Sequence, residues 1–137
     1  MTSPRYLLDT DTFVYIRRAR PAHVLARFER LKAGEAVLSV ITYGELLYGI
    51  EKKKMGAEPM QRLQELVSFM PVMPLPVDAA RTYGVIRAAL AATGDMIGSN
   101  DLWIAAHAIT ANLTLVSNNE REFRRVADLS LQNWVSE

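Results

Sequence analysis

The 137-residue sequence has no cysteine, which excludes a disulfide scaffold and any thiolate metal site. The lack of cysteine is also compatible with a reducing cytosol. A marked excess of either charge is lacking as well, with 16 Lys+Arg against 15 Asp+Glu. A general polyanion binder would carry a large basic excess. Long hydrophobic runs are absent. The apolar stretch FMPVMPLPV is broken by Pro71, Pro74 and Pro76 and falls far short of the ~20 residues a membrane-spanning helix needs. The opening MTSPRYLLD reaches Asp9 before a signal-peptide core can form. These absences lead to the expectation of a soluble, cytoplasmic protein without a membrane segment.

What is present is a half-apolar chain without repeat, low-complexity tract or linker, read as one domain over 1–137. Arg5–Asp9 and Ala36–Ser39 read as buried strands and Leu113–Ser117 as a β-branched one. Val72–Leu75, hemmed in by prolines, can only be an edge strand, and Leu129–Leu131 is a candidate last strand. Between them lie helical patterns. Thr10–Arg18 follows the first strand, with Thr10, Asp11 and Thr12 as candidate caps. The next pattern starts near Pro21, carries Val24, Leu25, Phe28 and Leu31, and stops at Gly34. Val40–Lys54, Glu58–Met70, Val77–Thr93 closed by Gly94, Ser99–Asn112 capped by Ser99, and the short Glu120–Val126 complete the set. Strands alternating with helices imply an α/β fold, a short parallel sheet covered by helices on both faces.

Three acids fall where such a sheet places its chemistry, outside the carboxyl ends of the strands. Asp9 ends the first strand, Glu45 lies one turn into the helix after the second, and Asp101 sits in the first turn of its own helix. Ser117-Asn118-Asn119 follows the last long strand and reaches the same edge. Clustered carboxylates repel one another unless a cation lies among them. Hard oxygen donors select Mg²⁺ or Mn²⁺, ions suited to phosphodiester hydrolysis by activated water. Each acid also has an ordinary structural reading. Asp101 suits a helix dipole, Asp9 a cap or turn, and Glu45 a solvated helix face. Thr42 and Gly49 share the face of Glu45 and are small enough to admit another backbone.

Four segments now carry a resemblance. YLLDTDTFVYI, SVITYGELLYGIEK, SNDLWIAAHAI and LTLVSNNEREFRRV, in this order and spacing, resemble the PIN-domain ribonucleases, and among them the VapC toxins of bacterial toxin–antitoxin pairs. The likeness runs from Tyr6 to about Trp134. It implies a three-layer PIN-like fold and a Mg²⁺- or Mn²⁺-dependent endoribonuclease leaving 5′-phosphate and 3′-hydroxyl ends. By position, Asp9, Glu45 and Asp101 are the implied catalytic and metal-binding acids, with Asn100 preceding the third and Ser117 orienting the site from behind it. The fourth family acid falls at Asn119, an auxiliary ligand here; an amide binds metal less well than a carboxylate, which bears on a second ion more than on the first. The resemblance further implies a VapB-like antitoxin that occupies the groove, and a homodimer.

Asp11 stands where the family usually has asparagine. Helix capping is its expected role, ahead of restoring the charge missing at Asn119. Asp95 is expected to be a solvated loop acid. For RNA phosphates, Arg121, Arg124 and Arg125 lie nearest the site, while Arg17, Arg18 and Arg20 and Lys52–Lys54 form other basic groups. Two rivals compete. A haloacid-dehalogenase-type phosphatase would use Asp9 and Asp11 as its D-x-D pair, but every lysine precedes residue 55 and the late acids are wrongly spaced. An interaction module would exploit the apolar helix bearing Tyr43, Leu46, Leu47, Tyr48 and Ile50. His23 and His107 make no zinc motif, and Trp103 and Trp134 are read as core or subunit contacts.

Overall fold

The computed structural model describes residues 2–54 and 56–137. Along the chain lie β1 (Tyr6–Leu8), α1 (Thr10–Arg18), α2 (Ala22–Glu29), β2 (Ala36–Ser39), α3 (Val40–Lys53), α4 (Ala57–Phe69) and β3 (Val72–Met73). The second half contains α5 (Ala79–Thr93), α6 (Ser99–Thr110), β4 (Thr114–Val116), α7 (Glu120–Phe123) and β5 (Leu131–Gln132). The strands form one parallel sheet in the order β3-β2-β1-β4-β5. The expected α/β class is what the chain adopts.

Strand alternation sorts the core into two. Tyr6 and Leu8 of β1, Ala36 and Leu38 of β2 and Val116 of β4 face one cluster, with Phe13, Ile16, Phe28, Leu46 and Leu63 from α1 to α4. Leu7, Val37 and Leu115 face the other, with Ile86, Leu90, Leu102 and Ile104 from α5 and α6. A strand buried on both faces must be apolar at every position, which is why β1 and β2 read as unbroken runs. Each such leucine contributes ~1.5–3 kcal/mol on burial, so the central strands are the most firmly held backbone in the molecule.

Several ends differ from the sequence reading. The helix expected to run to Gly34 ends at Glu29; Leu31 is buried through a turn closed by its N–H on the Phe28 carbonyl, so its apolar spacing did not require helix. α5 starts at Ala79 rather than Val77, whose side chain is solvent-exposed. α6 enters at Gly98, not Ser99, because the Gly98 carbonyl already accepts the first helical bond, from Leu102. Gly94 does close α5, in the left-handed conformation that favours glycine. No backbone approaches Gly49 closely: the space over its Cα is open. Among the described residues no helix is long and apolar enough to cross a membrane.

Candidate active site

The strand order reverses between β1, which leads to β2 on one side, and β4, which lies on the other. Such a switch point opens a crevice beyond the carboxyl ends of both strands. Asp9 follows β1 and Ser117 follows β4, and the Ser117 hydroxyl donates to Asp9 Oδ2 at 2.8 Å. The other oxygen, Oδ1, accepts the Thr10 N–H at 2.8 Å and so caps α1. Asp9 therefore caps α1 and also lies at the crevice. Asp9, Thr12 and Ser117 are all buried, and the sheet fixes their spacing.

α3 brings in Glu45, whose Oε1 accepts the Thr10 hydroxyl at 3.1 Å. One turn earlier, Thr42 Oγ1 is the one buried side-chain polar atom without a partner among the described residues. α6 brings in Asp101 against Glu122 of α7, with Asp9 and Glu45 close enough to act on it electrostatically. Burial pushes the Asp9 carboxyl up to about 6, with the Asp11 charge adding to it and the Ser117 hydrogen bond opposing it. Burial also pushes Asp101 up, to about 7, followed by its hydrogen bond with Glu122 and the charge of Asp9. Glu122, stabilised first by Asp101 and then by the Asn119 amide, is held below its ordinary range. The two shifts run in opposite directions, so Asp101 is the member of the pair that holds a proton more readily.

Glu122 is the acid that sequence reading missed. Asn119 occupies the fourth family position, but its Nδ2 donates to Glu122 Oε2 at 2.9 Å, so the amide orients a carboxylate one helical turn on. The available signal was the i, i+3 spacing of Asn119 and Glu122 at the start of a short helix. The three polar residues after β4 also divide their work. Asn119 N–H donates to Ser117 Oγ, whereas Asn118 joins Tyr15 and Asn133 through its side chain.

Asp11 does not cap α1, because Asp9 already does; its carboxylate instead accepts the Asn118 N–H at 3.2 Å. Asn100 is exposed and makes no side-chain hydrogen bond among the described residues. Asp95 is exposed and lines a cavity of about 610 Å³ beside α5. Of the three arginines near Asn119, Arg124 pairs with Glu120 and Arg125 donates to the carbonyls of Asp95 and Met96, leaving Arg121 free of ion pairs among the described residues. His107 is buried, bonded through Nδ1 to Ser39 Oγ at 2.9 Å and kept neutral by burial. His23 Nε2 bonds the Val135 carbonyl oxygen. Of the α3 apolar set, Leu46 and Ile50 are core, Tyr43 and Leu47 pack on it, and only Tyr48 stands out, at 64% exposure.

A PIN domain profile matches residues 6–129. The chain belongs to the PIN-domain family. Ribonuclease VapC2 from Haemophilus influenzae is 40% identical to it over 131 residues, 96% of this chain and 98% of that protein. The tRNA(fMet)-specific endonuclease VapC of Shigella flexneri is 37% identical over 130 residues, 95% of this chain and 98% of that one. In structure the chain is similar to VapBC2 from Rickettsia felis, solved bound to a DNA fragment from its promoter, with TM-score 0.87 and 34% identity over 97% of this chain and 99% of that chain. This PIN domain is of the VapC type, and the phosphatase reading of Asp9 and Asp11 is set aside by that membership.

Proposed function

We propose that this PIN domain is a metal-dependent endoribonuclease, the toxin of a toxin–antitoxin pair acting in the cytoplasm. The observation that carries the reading is the convergence of Asp9, Glu45, Asp101 and Glu122 on the strand switch point, where burial first and neighbouring acids second push the carboxyls of Asp9 and Asp101 up. Four carboxylates, with no thiolate or imidazole among them, fit a hard divalent cation such as Mg²⁺ or Mn²⁺. Among the described residues no three Asp, Glu or His side chains close into a ready metal cage; Glu45 is turned to the Thr10 hydroxyl and Glu122 to the Asn119 amide. Asp9, Glu45 and Asp101 would hold the ion, with Glu122 as a fourth carboxylate in place of Asn119.

When bound, the ion supplies Lewis acidity that activates water and offsets phosphate charge. The chain's own groups do the rest. Ser117 holds Asp9 in one orientation, Thr10 does the same for Glu45, and the Asn119 amide does so for Glu122. Asp101 must give up its proton before it can act as a ligand. RNA is the substrate class, with tRNA the first to try given the name of the Shigella relative. A VapB-like antitoxin and a second copy of the chain are the implied partners. The latter has an exposed apolar face to cover on α5, where Val85 is 67% exposed.

Calorimetric titration of Mn²⁺ into the metal-free protein tests this. Wild type is expected to bind, and to bind several-fold more tightly at pH 8 than at pH 6, because the carboxyls of Asp9 and Asp101 lose their protons across that interval. Asp101→Asn is expected to abolish the heat. A folded wild type that takes up no Mn²⁺ at pH 8 would overturn the reading.

A further inference from the structure

The acid centre repels RNA, and of the three arginines nearest it Arg124 is committed to Glu120 and Arg125 to two loop carbonyls, which leaves Arg121 alone without an ion pair among the described residues. One free cation is little for a polyanion, which calls for further basic groups elsewhere on the surface. A cavity of about 680 Å³ opens between the C-terminal end of α1 and the start of α4, lined by Arg17, Arg18, Arg20, Glu58, Pro59 and Arg62. Arg62 pairs with Glu58. Among the described residues Arg17, Arg18 and Arg20 have no carboxylate within ion-pair distance and make no side-chain hydrogen bond. Arg17 is half-buried, and its guanidinium is pushed below its ordinary range by burial, then by the charges of Arg18 and Arg62. Four arginines around one carboxylate, itself committed to Arg62, leave an excess of like charge that an anion would relieve.

α1 is the rod that links this cavity to the site. Asp9 caps its first turn and Arg17 lies in its last, about 12 Å along the axis at ~1.5 Å per residue. That length spans three or four stacked nucleotides at ~3.4 Å each. Planar guanidinium forks match phosphate oxygens two at a time. We infer that the Arg17–Arg18–Arg20 cluster with Arg62 is a phosphate subsite, which grips the RNA backbone a few nucleotides from the bond placed at Asp9. The inference rests on the ribonuclease reading and adds to it the surface that holds the substrate.

The test uses the full chain carrying Asp9→Asn, so that RNA stays intact, with Mg²⁺ present and a labelled single-stranded RNA dodecamer as probe. Adding Arg17→Gln and Arg18→Gln is expected to weaken binding roughly tenfold and to reduce the salt slope by about 1.4, at ~0.7 per phosphate contact on a single strand. A dinucleotide, too short to reach the cavity, is expected to bind both proteins alike. The exposed pair Arg18→Gln and Arg20→Gln, with melting temperature measured alongside, guards against misfolding. Unchanged affinity and slope on a parent that does bind RNA would overturn the subsite and leave the ribonuclease reading standing. Failure of the parent and of wild type alike to bind RNA would overturn both. If an acidic dodecapeptide loses its binding in these variants while RNA keeps its own, the cluster serves a protein segment and the proposal falls.

Discussion

Asp9→Asn is expected to stop RNA cleavage while making the metal-free protein harder to unfold. Loss of activity should exceed ~10²-fold, the order produced by removing one group that acts on developing charge. The stability gain follows from linkage. In the folded chain the Asp9 carboxyl is pushed up to about 6, against 3.8 for an unperturbed aspartate. Between those two values the folded state binds more protons than the unfolded one, so stability falls as pH rises through that window and stays low above it. The deficit at pH 7 amounts to about 2–3 kcal/mol, and an amide at position 9 removes it. Asparagine can still accept the Thr10 N–H, so the cap survives. Scanning calorimetry in EDTA is the check. The variant should melt several degrees above wild type at pH 7.5, with the gap nearly closed at pH 4. Equal melting temperatures at pH 7.5, or retained cleavage, would contradict the role assigned to Asp9.

Trp134→Ala is expected to cost about 3–5 kcal/mol, the range for emptying a buried aromatic site. Trp134 is 1% exposed and belongs to the cluster built by α1 to α4. Its ring meets Tyr6 edge-on, with centroids 5.6 Å apart, and Arg27 of α2 lies over it at 4.8 Å. Its indole N–H donates to Gln132 Oε1 at 3.0 Å. The residue therefore ties the end of the chain to β1 and α2. Trp134→Phe should recover much of the loss by refilling the space, though it leaves Gln132 without its donor. Urea unfolding of the two variants would show this as a lowered midpoint with an unchanged slope. A loss under 1 kcal/mol in the alanine variant would mean that the tail contributes little to the core.

Trp103 shows the limit of what composition says about an aromatic residue. Both tryptophans read as core or subunit contacts without distinction, and the fold separates them: Trp134 is buried, whereas Trp103 is half-buried and stacks on Tyr83 at 3.9 Å. Asp11 shows the same for acids. Its sequence position suits a cap, but Asp9 reaches the α1 N-terminus first, which frees Asp11 to hold the Asn118 backbone.

Periodicity alone determined the class of fold. β1 and β2 are apolar at nearly every position because both of their faces are covered, and α1 and α3 begin within one residue of those strands, which places Asp9 and Glu45 near one rim. The family motifs then singled out Asp9, Glu45 and Asp101. Only the tertiary structure could add Glu122, since its carboxylate matters through its closeness to Asp101, 21 positions earlier, and through an Asn119 amide that hydrogen-bonds it. Only packing could decide which arginines are free, because a carboxylate or carbonyl partner comes from whatever element folds alongside: Arg125 is held by the loop after α5, while among the described residues Arg17 has no carboxylate or carbonyl partner. Spacing along a chain fixes what a single helix or strand can present. Burial, shared protons and freedom from partners are properties of pairs brought together across the fold, and no local pattern carries them.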